Sequence, residues 1–392
     1  MTLSTGKQER PARTELGRSL LKSAVMHSDW RPAFEAVDRA AFLPELMWPY
    51  DMATSRSDTV DRRTDPDGWY AYADSDVPIT TQWDDGAHEG PAPGRVATSS
   101  SSAPSVVFAM LAALDLDDGM SVLEIGTGTG WTAALMTHRL GGTGVTTIEV
   151  DATVADRARA ALHATGSHPR VRTGDGLLGH SGGAPYDRTV ATCGMRSIPY
   201  AWIEQTAPGG LIVAPWGTHY ANRDTLVRLT VAPDASACGH FTRPVEFMKA
   251  RAQRLVRPPH SAYLPDGFPG DATATTTTLT AADGFADRFG PFAFAAGLRV
   301  PDCAWAADER DGDHSVWWYG LTDRSWAAVL FRRGAHESTV YQAGPRRLWD
   351  EVEAAWHWWT GEGRPSPERF GLTVTREGQR GWLDDPENSW PL

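Results

Sequence analysis

Residues 122–131 read Val122-Leu-Glu-Ile-Gly126-Thr-Gly128-Thr-Gly130-Trp131. Val122 to Ile125 have the composition of a buried strand, and three glycines at alternate positions follow. Without a Cβ the backbone turns tightly and comes close to a ligand. Helical spacing resumes over 132–139, so the stretch reads as strand, turn and helix. The spacing is G-x-G-x-G; the dinucleotide fingerprint G-x-G-x-x-G would need glycine at 131, where Trp131 stands. Working outward, strand patterns at 122–125, 145–149, 171–173, 188–192 and 211–215 alternate with helical patterns at 132–139, 154–164 and 202–206. Alternating β and α units predict an α/β fold with a doubly wound, mostly parallel sheet. Two further strand-like runs, 226–231 and 245–248, have no helix between them and suit an antiparallel hairpin at the sheet edge.

Two acids give the turn its chemistry. Glu124 stands two residues before the first glycine, and Glu149 closes the next strand ~20 residues after the turn, where an acid hydrogen-bonds ribose hydroxyls. Together with the G-x-G-x-G spacing they point away from NAD and towards S-adenosylmethionine. Gly174-Asp175-Gly176 follows the third strand. Asp175 is placed to accept from an adenine amino group, with flanking glycines that let the base lie against the backbone; the same tripeptide also reads as an ordinary Asx turn. The candidate donor-binding residues are Glu124, Gly126, Thr127, Gly128, Gly130, Glu149, Asp175 and Gly176. The helix beginning near Trp131 turns its first amides towards the same place.

The chain has 392 residues, which suits two domains. A hydrophobic content of 41% and 17 tryptophans supply ample core and exclude wholesale disorder. The formal net charge is −12, and Lys and Arg do not gather into a stripe, so a nucleic-acid footprint is absent. An acidic surface gives no long-range attraction for an acidic substrate, so any recognition of a carboxylate has to be local. Cys193, Cys238 and Cys303 are too few and too widely spaced for a disulfide framework or a metal site, and read as buried or idle thiols; no metal is expected. Residues 1–13 are polar without an apolar core, and no apolar run is long enough to cross a membrane. A cytoplasmic setting without a membrane partner is the expectation.

Nearer the N-terminus, 15–25 and 32–41 have helical apolar spacing, with Asp29 placed to cap the second. Residues 51–68 read as a loop, 77–81 as an extended run, and 84–94, rich in Gly, Pro and acids, as a flexible excursion. Ser99 to Ser102 form a polar run just before Pro104, and 106–114 then read as a helix. Composition shifts near Arg254: Arg257-Pro-Pro259 and the threonine tract 273–280 look like a linker. Ten tryptophans follow, with strands expected at 315–320 and 326–331 and a helix at 348–359. The expected organisation is a helical segment 1–75 packing on the core, a central domain 76–253 and a smaller tryptophan-rich α+β domain 254–392.

Residues from about 31 to 251 resemble the protein-L-isoaspartate O-methyltransferase family. The matching stretches are Phe34-Glu-Ala-Val-Asp-Arg-Ala-Ala-Phe-Leu-Pro44, Tyr72-Ala-Asp74, Ser102-Ala-Pro104, the glycine stretch, Gly174-Asp-Gly176, Ala184-Pro-Tyr-Asp187, Ile198-Pro199, Pro208-Gly-Gly210 and Pro215-Trp-Gly217. The glycine stretch marks only the wider methyltransferase class; the Ser-x-Pro element ahead of it and Ile198-Pro199 are more specific. The resemblance implies a Rossmann-like class I methyltransferase sheet, S-adenosylmethionine as methyl donor, a peptide carboxylate as acceptor, and Ser102 at the position of the family's active-site serine. Two features depart from the pattern. Residues 80–98, including Trp83, Asp84, Asp85, His88 and Glu89, replace a short glycine link, and the second domain is one that housekeeping repair enzymes lack. Both resemble long relatives found with ribosomally made peptide natural products of the lanthipeptide, lasso-peptide and graspetide pathways, which methylate an ordinary aspartate in a constrained peptide. The partner implied is a modified precursor peptide. The alternative is a repair enzyme acting on the α-carboxylate of isoaspartate. A reading of a different class, a binding module on a degenerate fold, sits poorly with the presence of Ser102, Gly126, Gly128, Glu149 and Asp175.

The implied reaction needs no general base. A carboxylate with a pKa near ~4 is already ionised at neutral pH and attacks a sulfonium methyl directly. The protein's tasks are alignment and exclusion of water, and alignment supplies roughly 7–11 kcal/mol. Ser102 would donate a hydrogen bond that fixes the acceptor carboxylate; without an activating base it is not a covalent nucleophile. The methyl ester is then open to attack by the next backbone amide nitrogen, which expels methanol and closes a succinimide that water can open to aspartate or isoaspartate. Trp83, the acids of the insertion and some C-terminal tryptophans are expected to line a groove leading to Ser102.

Overall fold

The computed structural model describes residues 10–220, 224–285 and 290–392. They fall into two compact units, one from the described part of Met1–Thr192 with Ala201–Val213, the other from Cys193–Tyr200 with Ala214–Leu392.

The first unit opens with α1 (Pro11–Lys22), whose proline sits in the first turn, where no intrahelical N–H is needed. α2 (Arg31–Ala36) is shorter than its apolar spacing predicts. Asp29 lies in a preceding 3₁₀ turn and does not cap it; Asp38 instead caps the turn that follows, accepting from the Ala40 amide at 3.0 Å. A small antiparallel sheet comes next, made of β1 (Leu46–Asp51), β2 (Arg56–Ser57), β3 (Val60–Asp61), β4 (Ile79–Trp83) and β5 (Ala97–Ser101), with α3 (Pro66–Ala73) between β3 and β4. The order is β2-β1-β4-β5, and β3 also pairs with β1. Met47, Val60, Trp69 and Ile79 pack together on it.

This sheet corrects four expectations. Residues 51–68 are two short strands and the start of a helix, not a loop. The serine run is β5, paired with β4 at Ile79↔Ser101. The excursion after β4 is pinned by Asp84, whose carboxylate accepts from the backbone N–H of Arg95 and Val96 at 3.0 and 2.8 Å. Trp83 is a core residue, edge-on to Trp48 with ring centroids 6.1 Å apart, and does not line a groove.

α4 (Pro104–Leu114) leads into the parallel part: β6 (Val122–Ile125), α5 (Trp131–Arg139), β7 (Val145–Glu149), α6 (Ala152–Ala164), β8 (Arg170–Thr173), β9 (Tyr186–Ala191), α7 (Tyr200–Gln205) and β10 (Thr206–Trp216). The order β10-β9-β6-β7-β8, with all four pairings parallel, is the doubly wound sheet the alternating pattern predicts. All four residues of β6 are buried, which explains its uninterrupted run. Chain direction across the sheet reverses between β6 and β9, so the glycine turn leaves β6 at the switch point, where open α/β sheets bind ligands.

The second unit contains the expected hairpin, β11 (Asp224–Val231) with β12 (Ala237–Val245), though its second strand starts earlier than the sequence suggests. β13 (Thr273–Thr277), α8 (Pro291–Arg299), β14 (Cys303–Arg310), β15 (Asp313–Gly320), β16 (Trp326–Phe331), β17 (Ser338–Ala343), α9 (Leu348–Gly361), β18 (Phe370–Thr375), β19 (Gly378–Leu383) and β20 (Ser389–Pro391) follow. β20-β19-β18-β12-β11 run antiparallel, and β13-β17-β16-β15-β14 form a second antiparallel sheet. The threonine tract is therefore a strand paired with β17, not a linker. Among the ten tryptophans, 318, 326, 349, 359 and 382 are buried and the rest partly buried, so they are first of all core.

Candidate functional site

Gly126, Gly128 and Gly130 have φ of +95°, +54° and +91°, in the left-handed region that a side chain would strain. A Cβ on Gly128 would stand 3.4 Å from the carbonyl oxygen of Ser100, so the turn comes up against the serine strand. Glu149 ends β7 beside this turn and is nearly buried. Its Oε2 accepts from the Gly128 N–H at 3.0 Å and its Oε1 from the Asp151 N–H at 3.1 Å. One carboxylate thus braces the turn and the start of α6. Below it, Thr127 Oγ1 lies 2.7 Å from Thr147 Oγ1, which donates to Glu124 Oε2 at 2.6 Å. Glu124 is wholly buried and its Oε1 has no hydrogen-bond partner. Burial pushes its carboxyl up to about 8, so it holds its proton at neutral pH. Its place in the site is that of a positioning residue, reaching the turn through Thr147 and Thr127.

Asp175 is exposed, and its Oδ1 accepts from the Leu177 N–H at 2.9 Å. Trp202 Nε1 donates to the Gly176 carbonyl at 2.8 Å. A Cβ on Gly176 would lie 2.5 Å from Ile125 Cγ2, so glycine is required where this turn crosses the end of β6.

The serines differ from one another. Ser99 Oγ accepts from Thr81 Oγ1 at 3.3 Å, and Ser101 Oγ from Arg39 Nε at 3.0 Å. The Ser102 hydroxyl, partly exposed, makes no hydrogen bond among the described residues, while its backbone is fixed. Arg39 fixes it. Nη2 donates to the carbonyls of Val77, Ser101 and Ser102 at 2.9, 3.0 and 3.0 Å, and Nη1 to that of Ser75 at 3.1 Å. Burial pulls the Arg39 guanidinium down to about 9, against Asp76 and Asp74, and it stays charged at neutral pH. Sequence reasoning missed Arg39. Its only signal is its place inside the stretch Phe34–Pro44.

The strand order, the glycine turn at the switch point and the acid closing the adjacent strand define a class I methyltransferase fold. A family profile described as Protein-L-isoaspartate(D-aspartate) O-methyltransferase (PCMT) matches residues 13–254, and the chain belongs to that family, one of S-adenosylmethionine-dependent methyltransferases. Protein-L-isoaspartate O-methyltransferase 1 of Rhodopseudomonas palustris (strain HaA2) is 38% identical over 199 residues, covering 50% of this chain and 65% of the relative. The protein-L-isoaspartate O-methyltransferase of Thermococcus onnurineus (strain NA1) is 40% identical over 121 residues, covering 30% and 54%. The chain thus spans about half to two thirds of the length of these curated relatives. A solved structure titled protein-L-isoaspartate O-methyltransferase superposes with a TM-score of 0.55 at 22% identity, covering 95% of this chain and all of its own. A match of that extent takes in both units, so a second unit is no departure from every chain of that title.

The residues fit the family's methyl donor. The glycine turn offers a face without Cβ atoms, Glu149 stands at the strand end with its carboxylate already aimed at the turn, and the Asp175 carboxylate is exposed after β8.

Proposed function

We propose that the chain is a carboxyl O-methyltransferase that moves a methyl group from S-adenosylmethionine to an aspartyl residue of a peptide. The bound donor supplies an electrophilic methyl group on a sulfonium. Gly126, Thr127, Gly128, Gly130, Glu149, Asp175 and Gly176 would hold the donor, with Glu124 setting the turn from beneath. Ser102 would donate its hydroxyl hydrogen to the acceptor carboxylate, while Arg39 keeps the Ser101–Ser102 backbone in place. The acceptor is an anion at neutral pH, so no proton has to be removed from it.

The observation that carries this reading is the Ser102 hydroxyl. It has no hydrogen-bond partner among the described residues, and it directly follows a strand whose Ser100 carbonyl stands against the glycine turn.

We read the acceptor as the side-chain carboxylate of an ordinary aspartate in a constrained, ribosomally made peptide, with the methyl ester closing to a succinimide, in a cytoplasmic setting. Choosing one aspartate among many needs contacts spread over a particular peptide. Residues 255–392 carry ten tryptophans and 13 arginines but no lysine, and Trp and Arg dominate peptide interfaces. Repair of isoaspartate is the second reading, and the name protein-L-isoaspartate O-methyltransferase carried by the curated relatives favours it.

One experiment tests both levels: methyl transfer to a linear isoaspartyl peptide and to constrained aspartyl peptides, by the wild type and by Ser102→Ala. Ser102→Ala is expected to keep donor affinity and to lose transfer by about 10- to 150-fold, the worth of a hydrogen bond to a charged group of ~1.5–3 kcal/mol. Full activity of Ser102→Ala, with loss in Ser100→Ala, would move the role to Ser100. Faster methylation of the linear isoaspartyl peptide than of any constrained one would make this a repair enzyme.

A further inference from the structure

The second unit contains a buried polar cluster that the proposed transfer does not use. Asp224 begins β11 and is wholly buried. Its carboxylate pairs with Lys249 Nζ and stands 3.9 Å from Arg196 Nη1. The two cations are themselves nearly enclosed, with side chains 11% and 9% exposed. The backbone is shaped to the pair. Gly194 and Lys249 form a parallel bridge, and a Cβ on Gly194 would lie 2.5 Å from Asp224 Oδ2 and 2.8 Å from Lys249 Nζ. The Arg196–Ile198 backbone is gripped by two glutamines. Gln253 Oε1 accepts from the N–H groups of Arg196 and Ser197 at 2.6 and 3.1 Å, and Gln379 Oε1 from that of Ile198 at 2.8 Å.

Within these neighbouring segments four buried polar atoms have no hydrogen-bond partner among the described residues: Arg196 Nε, Trp216 Nε1, His219 Nδ1 and Asp224 Oδ1. They belong together. Met195 pairs with Trp216 in a second bridge, and Arg196 Nη1 donates to the carbonyl of Thr218, the residue before His219. Leaving a buried polar atom unpaired costs roughly 1–3 kcal/mol, and native structures pair the great majority of such atoms with protein, water or ligand. Arg196 Nε and Trp216 Nε1 are obligate donors, and His219 Nδ1 is one in the matching tautomer. Donors beside a guanidinium and an ammonium suit an anionic oxygen group. Glu246 lies within electrostatic reach of Asp224 and Lys249 and belongs to the same balance of charge. Asp224 and Glu246 balance the two cations, so on a chain with net charge −12 recognition of an acid here would rest on the three unpartnered donors rather than on net charge.

We propose that Arg196, Trp216 and His219, backed by Lys249 and Asp224, form a subsite for a second carboxylate of the acceptor peptide, separate from the one that is methylated. This rests on the reading of the acceptor as a peptide and deepens it: the preferred substrate carries an acidic side chain besides the reacting aspartate.

The test is calorimetric binding to the full-length chain. The probes are aspartyl peptides carrying one glutamate at successive positions, each compared with its glutamine counterpart. At one position the glutamate peptide is expected to bind about tenfold tighter, as a charge-assisted contact allows. Arg196→Gln should erase that preference and Arg196→Lys should restore part of it. Equal binding of every pair by the wild type overturns the proposal without need of any variant, and so does a preference that survives Arg196→Gln. Donor titration on the same samples keeps the two readings apart: failure to bind S-adenosylmethionine would remove the transferase reading and leave the peptide comparison intact.

Discussion

Polar groups serve different ends in the two units. Around the glycine turn most of them hold backbone or one another, Glu124 Oε1 being the exception. Arg39 donates to four carbonyls, Glu149 accepts from two amides, and Glu124 reaches Thr127 through Thr147. In the second unit, aromatic area does the holding. Phe285 stacks on Phe331 with ring centroids 5.6 Å apart, and Trp349 packs against both Phe285 and Trp318 at 5.3 and 5.2 Å. Arg196 Nε, Trp216 Nε1, His219 Nδ1 and Asp224 Oδ1 there have no hydrogen-bond partner among the described residues. On the proposed reading, main chain is immobilised where a methyl group is aligned, and donors are left open where a peptide is recognised.

Three substitutions probe the first half of that contrast. The largest effect is expected from Arg39→Met, which leaves the carbonyls of Ser75, Val77, Ser101 and Ser102 without their donor. The expected loss is about 3–5 kcal/mol of unfolding free energy, as for other broken buried charge networks, read from denaturant titration. A loss below ~1 kcal/mol would mean that packing, not the guanidinium, holds the serine strand. Next is Glu149→Ala, expected to weaken S-adenosylmethionine binding by about 1.5–3 kcal/mol in calorimetry. Unchanged affinity with an intact fold would confine Glu149 to bracing the turn.

The smallest effect is one of pH. The folded state holds the Glu124 proton up to about pH 8, whereas the ordinary value is 4.5. The Glu124 contribution is therefore complete below pH 4.5 and is lost progressively as pH rises towards 8, because the unfolded chain releases its proton first. Glu124→Gln keeps the neutral shape without the titration. Between pH 6 and 7 the variant should gain at most about 1.4 kcal/mol on the wild type. Parallel stability curves would show that Glu124 is ionised in the fold.

The parallel sheet and its turn were legible because buried strands, glycines at positive φ and an acid at a strand end each leave a mark in the chain itself. The serine strand was not. Serine has little β preference, and β5 is held by its pairing with β4 and, at its end, by Arg39 some sixty positions earlier. The threonine tract looked like a linker because repetition hides a strand. Its pairing with Ser338–Gln342 supplies what composition conceals. Arg39 was invisible for the same reason: a lone arginine has no period and no spacing partner, and its role lies wholly in tertiary contacts. Trp83, expected with the acids of the insertion to line a groove, packs edge-on against Trp48 in the core.

The grip of Gln253 and Gln379 on Arg196–Ile198 has a consequence for how the molecule comes into being. The hydrogen bond from Ile198 to Gln379 spans 181 residues of chain. A polypeptide emerging from the ribosome has its glycine turn and all five parallel strands long before residue 379 exists, and domains form in the order they are made. The loop carrying Ile198-Pro199 acquires its second clamp only once residue 379 has been made. A shorter nascent chain is thus able to fold its glycine turn and parallel strands while that loop still lacks one of its two glutamines.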